Sequence, residues 1–312
     1  MTRALCTCIA AALLLTACNV IQQQGKRYEA RLEAAHLEWK EVELPAHQLG
    51  YWVGGTPDGR HRPVLLVHGF GASGLWQWSE QATALARDRT VVMPDLPWFG
   101  KSKPKEKDFT IDGQVAAMTA LLDHLKLAQV DVVGISYGGI VAYELAALQP
   151  ARVGRLVLID SPGREYTLAD YEALLKRFDT DDFAKVLIPS DTAGVRRLMA
   201  LAYDSPPWVP EWAEAQALDT LYKNGRDEQT ALLHGLVALI ASASQRPGEV
   251  KAPALVIWGK NDDVFPLALG ERVAKRLGAK LEVVEKAKHF VPSEQPALVT
   301  SALRRFFAAA SM

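Results

Sequence analysis

The chain has 312 residues and only three cysteines, Cys6, Cys8 and Cys18; none follows residue 18. The body of the chain can therefore form no internal disulfide and no thiolate metal site. No charge of one sign dominates: 35 Lys and Arg oppose 36 Asp and Glu, for a net charge of −1. With no basic cluster to follow phosphates, nucleic acid is not an expected partner. Long apolar runs are also missing. The one near the start, Ala4 to Leu15, is too short to span a bilayer as a helix. His, Asp and Glu nowhere gather at ligand spacing, so neither a metal nor another cofactor is expected. Repeats and low-complexity segments are absent. What remains is an ordinary globular balance, 49% hydrophobic and 23% charged, on a chain long enough for a large core.

Short apolar runs alternate with amphipathic ones. "VLLVH" (64–68), "TVVMPD" (90–95), "VDVVGI" (130–135), "VGRLVLID" (153–160), "ALVIWG" (254–259) and "KLEVVE" (280–285) read as strands, and "WKEVEL" (39–44) and "HQLGYWVG" (47–54) as two more near the start. Helical patterns lie between most of them, as at 112–126, 138–149 and "PLALGERVAKRLG". This alternation predicts an α/β fold with a mostly parallel sheet and helices on both faces. From Pro162 to Lys251 no strand pattern occurs, and a structureless loop of that size is implausible. Helical pieces at 167–178, 180–188, 192–203, 210–222 and 227–243 make residues 163–250 an expected helical cap, inserted between core segments 39–162 and 251–312. Residues 18–38 are expected to form a tether and a helix lying on the body.

"VDVVGISYGGIVAYE" (130–144) carries the chemistry. A serine hydroxyl attacks only if it projects into the open and a base holds it. A strand that turns sharply into a helix does the projecting, and Gly134 and Gly138, two residues either side of Ser136, let the two elements approach closely. In this setting the chain resembles the α/β-hydrolases across nearly all of the sequence after residue 17. "VHGFGAS" (67–73) matches that family's oxyanion loop, and "DLPWFGKS" (95–102) its next conserved turn, with Trp98 and Phe99 in place of commoner small residues. "WGKNDDVFP" (258–266) matches the acid loop and "AKHFVPSEQP" (287–296) the histidine loop.

The resemblance implies a triad of Ser136 as nucleophile, His289 as general base and Asp262 as its orienting acid, in the family's chain order. It implies an oxyanion hole from the backbone N–H groups of Phe70 and Tyr137. Asp160 and Asp263 compete with Asp262 for the acid role. Gly259, Asp262 and Pro266 fit the family's G-x-x-D-x-x-x-P loop, whereas Asp160 is read as fixing the turn into the cap. His68 is expected to brace the oxyanion loop.

The N-terminus, "MTRALCTCIAAALLLTACNV", has an early Arg3, an apolar stretch and small residues, the pattern of a signal peptide. Leu15-Thr16-Ala17-Cys18 resembles the lipobox of bacterial lipoproteins. The resemblance implies removal of residues 1–17 and acylation of Cys18. Asn19 favours delivery to the Gram-negative outer membrane. Together with "YDSPPWVPEW" (203–212), the signal also gives a looser similarity to the bacterial family V lipases and esterases.

The expected activity is carboxylic-ester hydrolysis through an acyl-serine, with an ester or lipid as substrate and the membrane as a partner through the anchor. A C–C bond hydrolase, thioesterase, amidase or perhydrolase on the same triad, or a non-catalytic lipoprotein, remain alternatives. Tyr166, Tyr171, Leu174, Leu175, Phe178, Leu198, Met199, Leu201, Tyr203, Trp208 and Trp212 are candidates to line an apolar tunnel in the cap, with Trp98 and Phe99 on the same wall.

Overall fold

The computed structural model describes residues 19–308. The expected signal segment, Cys18 and its lipidation lie outside the described residues. Within the described residues nine strands form one sheet: β1 (Leu37–Glu43), β2 (His47–Gly54), β3 (Val64–Val67), β4 (Val91–Pro94), β5 (Lys103–Pro104), β6 (Val130–Ile135), β7 (Val153–Ile159), β8 (Ala254–Gly259) and β9 (Lys280–Val284). Their order is β1-β2-β4-β3-β6-β7-β8-β9, with the short β5 beside β2. β1 and β2 run antiparallel; from β4 to β9 every pairing is parallel.

The helices are α1 (Val20–Ala34), α2 (Gly74–Leu85), α3 (Ile111–His124), α4 (Ser136–Leu148), α5 (Leu168–Arg177), α6 (Ala184–Leu187), α7 (Thr192–Ala202), α8 (Glu211–Leu221), α9 (Arg226–Ser242), α10 (Leu267–Leu277), α11 (Val291–Glu294) and α12 (Pro296–Ala308). The all-apolar strands are explained by burial on both faces. Successive side chains of a strand point to opposite sides. Leu65, Val67, Val132, Leu156, Leu158 and Val256 meet Met118 and Leu121 of α3, Val141 and Leu145 of α4 and Val273 of α10. Val64, Leu66, Val133, Val157 and Ile257, one residue out of phase, meet Trp78 and Leu85 of α2 and Leu303 and Phe307 of α12. Each such Leu, Ile, Val or Phe withdrawn from water stabilises the fold by roughly 1.5–3 kcal/mol.

Helices α5–α9 and one turn of 3-10 helix occupy the stretch between β7 and β8. Within it, the helix read at 180–188 shrinks to α6. Asp182 and Thr180 use their side-chain oxygens to accept the N–H groups of Ala184 and Asp182, which makes a turn of the segment before α6. The N-terminus also departs from expectation. Asn19 is the N-cap of α1, its side chain accepting the N–H groups of Ile21 and Gln22, so the helix starts at Val20 and leaves no tether after residue 19. The same asparagine donates from Nδ2 to Thr220 Oγ1 at 3.1 Å, and the N–H of Val20 donates to Gln216 Oε1 at 2.9 Å, docking α1 on α8 from its first turn. β1 then begins at Leu37, two residues earlier than its apolar pattern marks.

Candidate active site

β6 ends at Ile135 and α4 begins at Ser136, whose φ of 52° is left-handed. A non-glycine residue there costs about 1–2 kcal/mol, so its surroundings must enforce it. A Cβ on Gly138 would lie 2.1 Å from the carbonyl oxygen of His68, and one on Gly134 would lie 2.4 Å from that of Gly138. Only glycine permits this approach of strand, turn and helix. Ser161, at the end of β7, donates its hydroxyl to the Ser136 carbonyl at 2.7 Å and holds the turn from the other side.

The three residues inferred from sequence meet. Ser136 Oγ lies 2.9 Å from His289 Nε2, and His289 Nδ1 lies 2.8 Å from Asp262 Oδ2. An ionised carboxylate only accepts, so Nδ1 carries the proton and Nε2 is free to take one from the serine. Asp262 is fixed by accepting the N–H groups of Val264 (2.8 Å) and Phe265 (3.0 Å) through its other oxygen. The Phe265 ring meets the imidazole edge-on, with centroids 5.5 Å apart. The histidine loop is tied to the cap, the N–H of Phe290 donating to the carbonyl of Ala202 at 2.9 Å.

Asp160 and Asp263 do not reach the histidine. Asp160 is fully buried at the end of β7 and accepts the Gly259 N–H at 2.7 Å. This corrects its expected local role: the bond crosses from β7 to β8 and does not close the turn into the cap. Burial first, and the charge of Asp262 second, push its carboxyl well above the usual range. Asp263 is half exposed and pairs with Lys288 at 2.8 Å.

Phe70 and Tyr137 flank the serine on the loop after β3 and in the first turn of α4. Neither backbone N–H has an acceptor within the described residues. Beneath the loop, His68 Nδ1–H donates to the Gly69 carbonyl at 2.7 Å, and Nε2 accepts the N–H of Leu96 at 2.9 Å. This is the brace read from sequence, and it joins the turns after β3 and β4. Burial lowers its imidazole to about 4, so it is a neutral strut.

A cavity of about 90 Å³ opens on Ser136 and His289. Its walls come from Phe70, Tyr166, Leu174, Phe183, Leu233, Leu236, Val237, Ile240 and Phe265, among others. No lysine, arginine, aspartate or glutamate lines it. Of the tunnel candidates, Tyr166, Tyr171 and Leu174 are there. Tyr203 and Trp98 instead line a second, larger cleft of about 910 Å³ with Gly71, Tyr28 and Tyr222. Phe99 is buried against His68, Phe70 and Tyr137. Trp208 and Trp212 face solvent, 86% and 57% exposed. His234 is exposed and pairs with Asp182. Sequence reasoning missed the α9 wall (Leu233, Leu236, Val237 and Ile240), although its i, i+3, i+4, i+7 spacing is visible in "LLHGLVALI".

The family model for the alpha/beta hydrolase fold matches residues 62–296. The chain is 29% identical over 248 residues to a 2-hydroxy-6-oxo-2,4-heptadienoate hydrolase of Pseudomonas putida, covering 76% of this chain and 86% of that protein. It is 27% identical over 270 residues to a monoacylglycerol lipase of Homo sapiens, covering 83% and 79%. Among solved structures, a bacterial membrane phospholipase A superposes with a TM-score of 0.72 at 22% identity, covering 97% of this chain and 95% of that one. With the family model spanning β3 to the start of α12, the chain belongs to the alpha/beta hydrolase fold family.

Proposed function

We propose that the protein is a serine carboxylic-ester hydrolase. The observation that carries this is the unbroken Asp262–His289–Ser136 relay opening onto an uncharged apolar cavity. Ser136 Oγ attacks the ester carbonyl while His289 Nε2 takes its proton. The N–H groups of Phe70 and Tyr137 receive the oxyanion, each such donor being worth roughly 3 kcal/mol in the transition state. His289 then returns the proton to the departing alcohol, leaving an acyl-serine. Water, deprotonated by the same imidazole, attacks the acyl-serine; the acid leaves and the proton returns to Ser136.

The similarity to a heptadienoate hydrolase favours a second reading, C–C bond hydrolysis. A dienoate carries a carboxylate, however, and the cavity offers no cation to receive it. Burying that charge unpaired would be costly, which supports the ester reading. At the N-terminus, the Leu15–Cys18 pattern supports an outer-membrane lipoprotein anchored through acylated Cys18.

The test is Ser136→Ala. The variant is expected to fold and to hydrolyse no nitrophenyl ester, and a fluorophosphonate probe should label only the wild type. Labelling at another serine, or wild-type turnover confined to dienoates, would overturn the assignment.

A further inference from the structure

We infer that the exposed face of α8, with the loop leading into it, is a membrane-docking surface that rests on a phospholipid bilayer. The inference builds on the lipid anchor proposed above and supplies what the anchor leaves open, the orientation of the enzyme.

Trp208 and Trp212 account for two of the five large hydrophobic side chains left exposed among the described residues. Tryptophan is usually well buried, so two neighbours held in water need a reason. They sit in "SPPWVPEW" (205–212), where Pro206, Pro207 and Pro210 supply no backbone N–H and fix φ. A loop with few donors to desolvate, and little freedom to lose, is suited to entering the headgroup layer. The indole, apolar with a single N–H, favours that layer.

The route of the chain selects a membrane as the partner. Trp212, Ala215, Gln216, Asp219 and Thr220 follow helical spacing i, i+3, i+4, i+7, i+8 and share one side of α8. Gln216 and Thr220 are the residues that bind Val20 and Asn19. Asn19, bound to Thr220, therefore lies on the side that carries Trp212, about 12 Å along the helix axis (eight residues at roughly 1.5 Å), and the proposed anchor attaches one residue before it. Acyl chains entering a bilayer from there bring both tryptophans to its surface. Thr220 also borders the 910 Å³ cleft, which would then open toward the lipid.

The experiment uses the full chain as expressed and processed, mixed with vesicles of equal parts phosphatidylethanolamine and phosphatidylglycerol carrying brominated acyl chains. Wild-type tryptophan fluorescence is expected to be quenched. The Trp208→Ser/Trp212→Ser variant is expected to lose that quenching and, without acyl chains, to bind vesicles at least about tenfold more weakly. Neither residue borders the serine cavity, so turnover of a soluble nitrophenyl ester should be unchanged, which reports the fold. Unquenched wild type, or equal quenching and binding in both proteins, would overturn the inference. If only the anchor reading is wrong, mass spectrometry finds no acyl chain on Cys18, while the weaker vesicle binding of the tryptophan variant relative to wild type persists.

Discussion

Asp262 grips His289 with one carboxylate oxygen, 2.8 Å from Nδ1, and is itself held through the other by the N–H groups of Val264 and Phe265. Asp160, one strand away, is bound to the backbone of Gly259 and is fully buried. The two neighbouring acids are thus separated in role by their hydrogen bonds.

Asp262→Asn is expected to leave stability near normal and to lower turnover by up to ~10⁴, the loss that follows when a triad imidazole is turned to the wrong tautomer. Asp160→Asn and Asp263→Asn should retain most activity. Steady-state rates for the three, beside their thermal midpoints, decide the matter; a crippled but stable Asp160→Asn would reassign the acid.

His68 makes a pH-dependent contribution. Its imidazole falls from the ordinary 6.5 to about 4 on burial, so the folded chain resists protonation that the unfolded chain accepts. The contribution is complete above pH 6.5 and is lost as pH falls toward 4, the loss reaching about 2 kcal/mol by pH 5. Asp95, raised by burial to about 6, has the opposite sign and gains as pH falls over the same range. His68→Gln should cost about 1–2 kcal/mol at pH 8 through lost hydrogen bonding. That deficit should shrink at pH 5, because the variant has no imidazole to titrate. Urea unfolding at the two pH values measures this; an equal deficit at both would refute it.

A cavity of about 90 Å³ holds about six water-sized positions at roughly 15 Å³ each. Nitrophenyl esters should therefore improve from acetate toward hexanoate, by up to about fourfold for each methylene. Val237→Trp should move the optimum back to acetate. A kcat/KM series that falls steadily from acetate in the wild type would contradict the apolar-acyl reading.

Cys18→Ser is expected to release active protein from the membrane fraction. Two or more acyl chains hold a protein stably, whereas surface contacts alone give reversible binding. Fractionation after a salt wash tests it. Persistent sedimentation with outer membrane would mean that Cys18 is not the anchor.

Much of this site was legible in the sequence because its signals are local. Gly134 marks the turn at Ser136 through a steric need that acts over five residues, against the Gly138 carbonyl, and Gly138 completes the local pattern although the carbonyl it must clear is that of remote His68. The strands showed because burial on both faces forces continuous apolar runs. The cap was legible as helices but not as a lining. Which side of α7, α8 or α9 meets the cavity depends on how the helices pack together, so Trp208 and Trp212 looked like tunnel residues while Leu233 and Ile240 passed unnoticed. Asp160 was misjudged for a related reason: its partner, Gly259, is remote in sequence and adjacent only across the sheet.

Glu144 was passed over as well, a buried carboxylate in the apolar helix α4 that carries Ser136 at its start. Arg164, where the chain leaves the sheet for the cap, meets it with two hydrogen bonds of 2.7 Å. The same guanidinium donates to the carbonyls of Arg246, Pro247 and Gly248, where the chain comes back, and Arg246 reaches Glu144 at 3.0 Å. Entry and exit of the insertion are thus stitched to each other and to the nucleophile's own helix. A lid fastened in this way has its hinge pin at the stem. Its far side is fastened too, Ala202 at the end of α7 to the N–H of Phe290 and Gln216 of α8 to that of Val20, so the serine beneath stays in register.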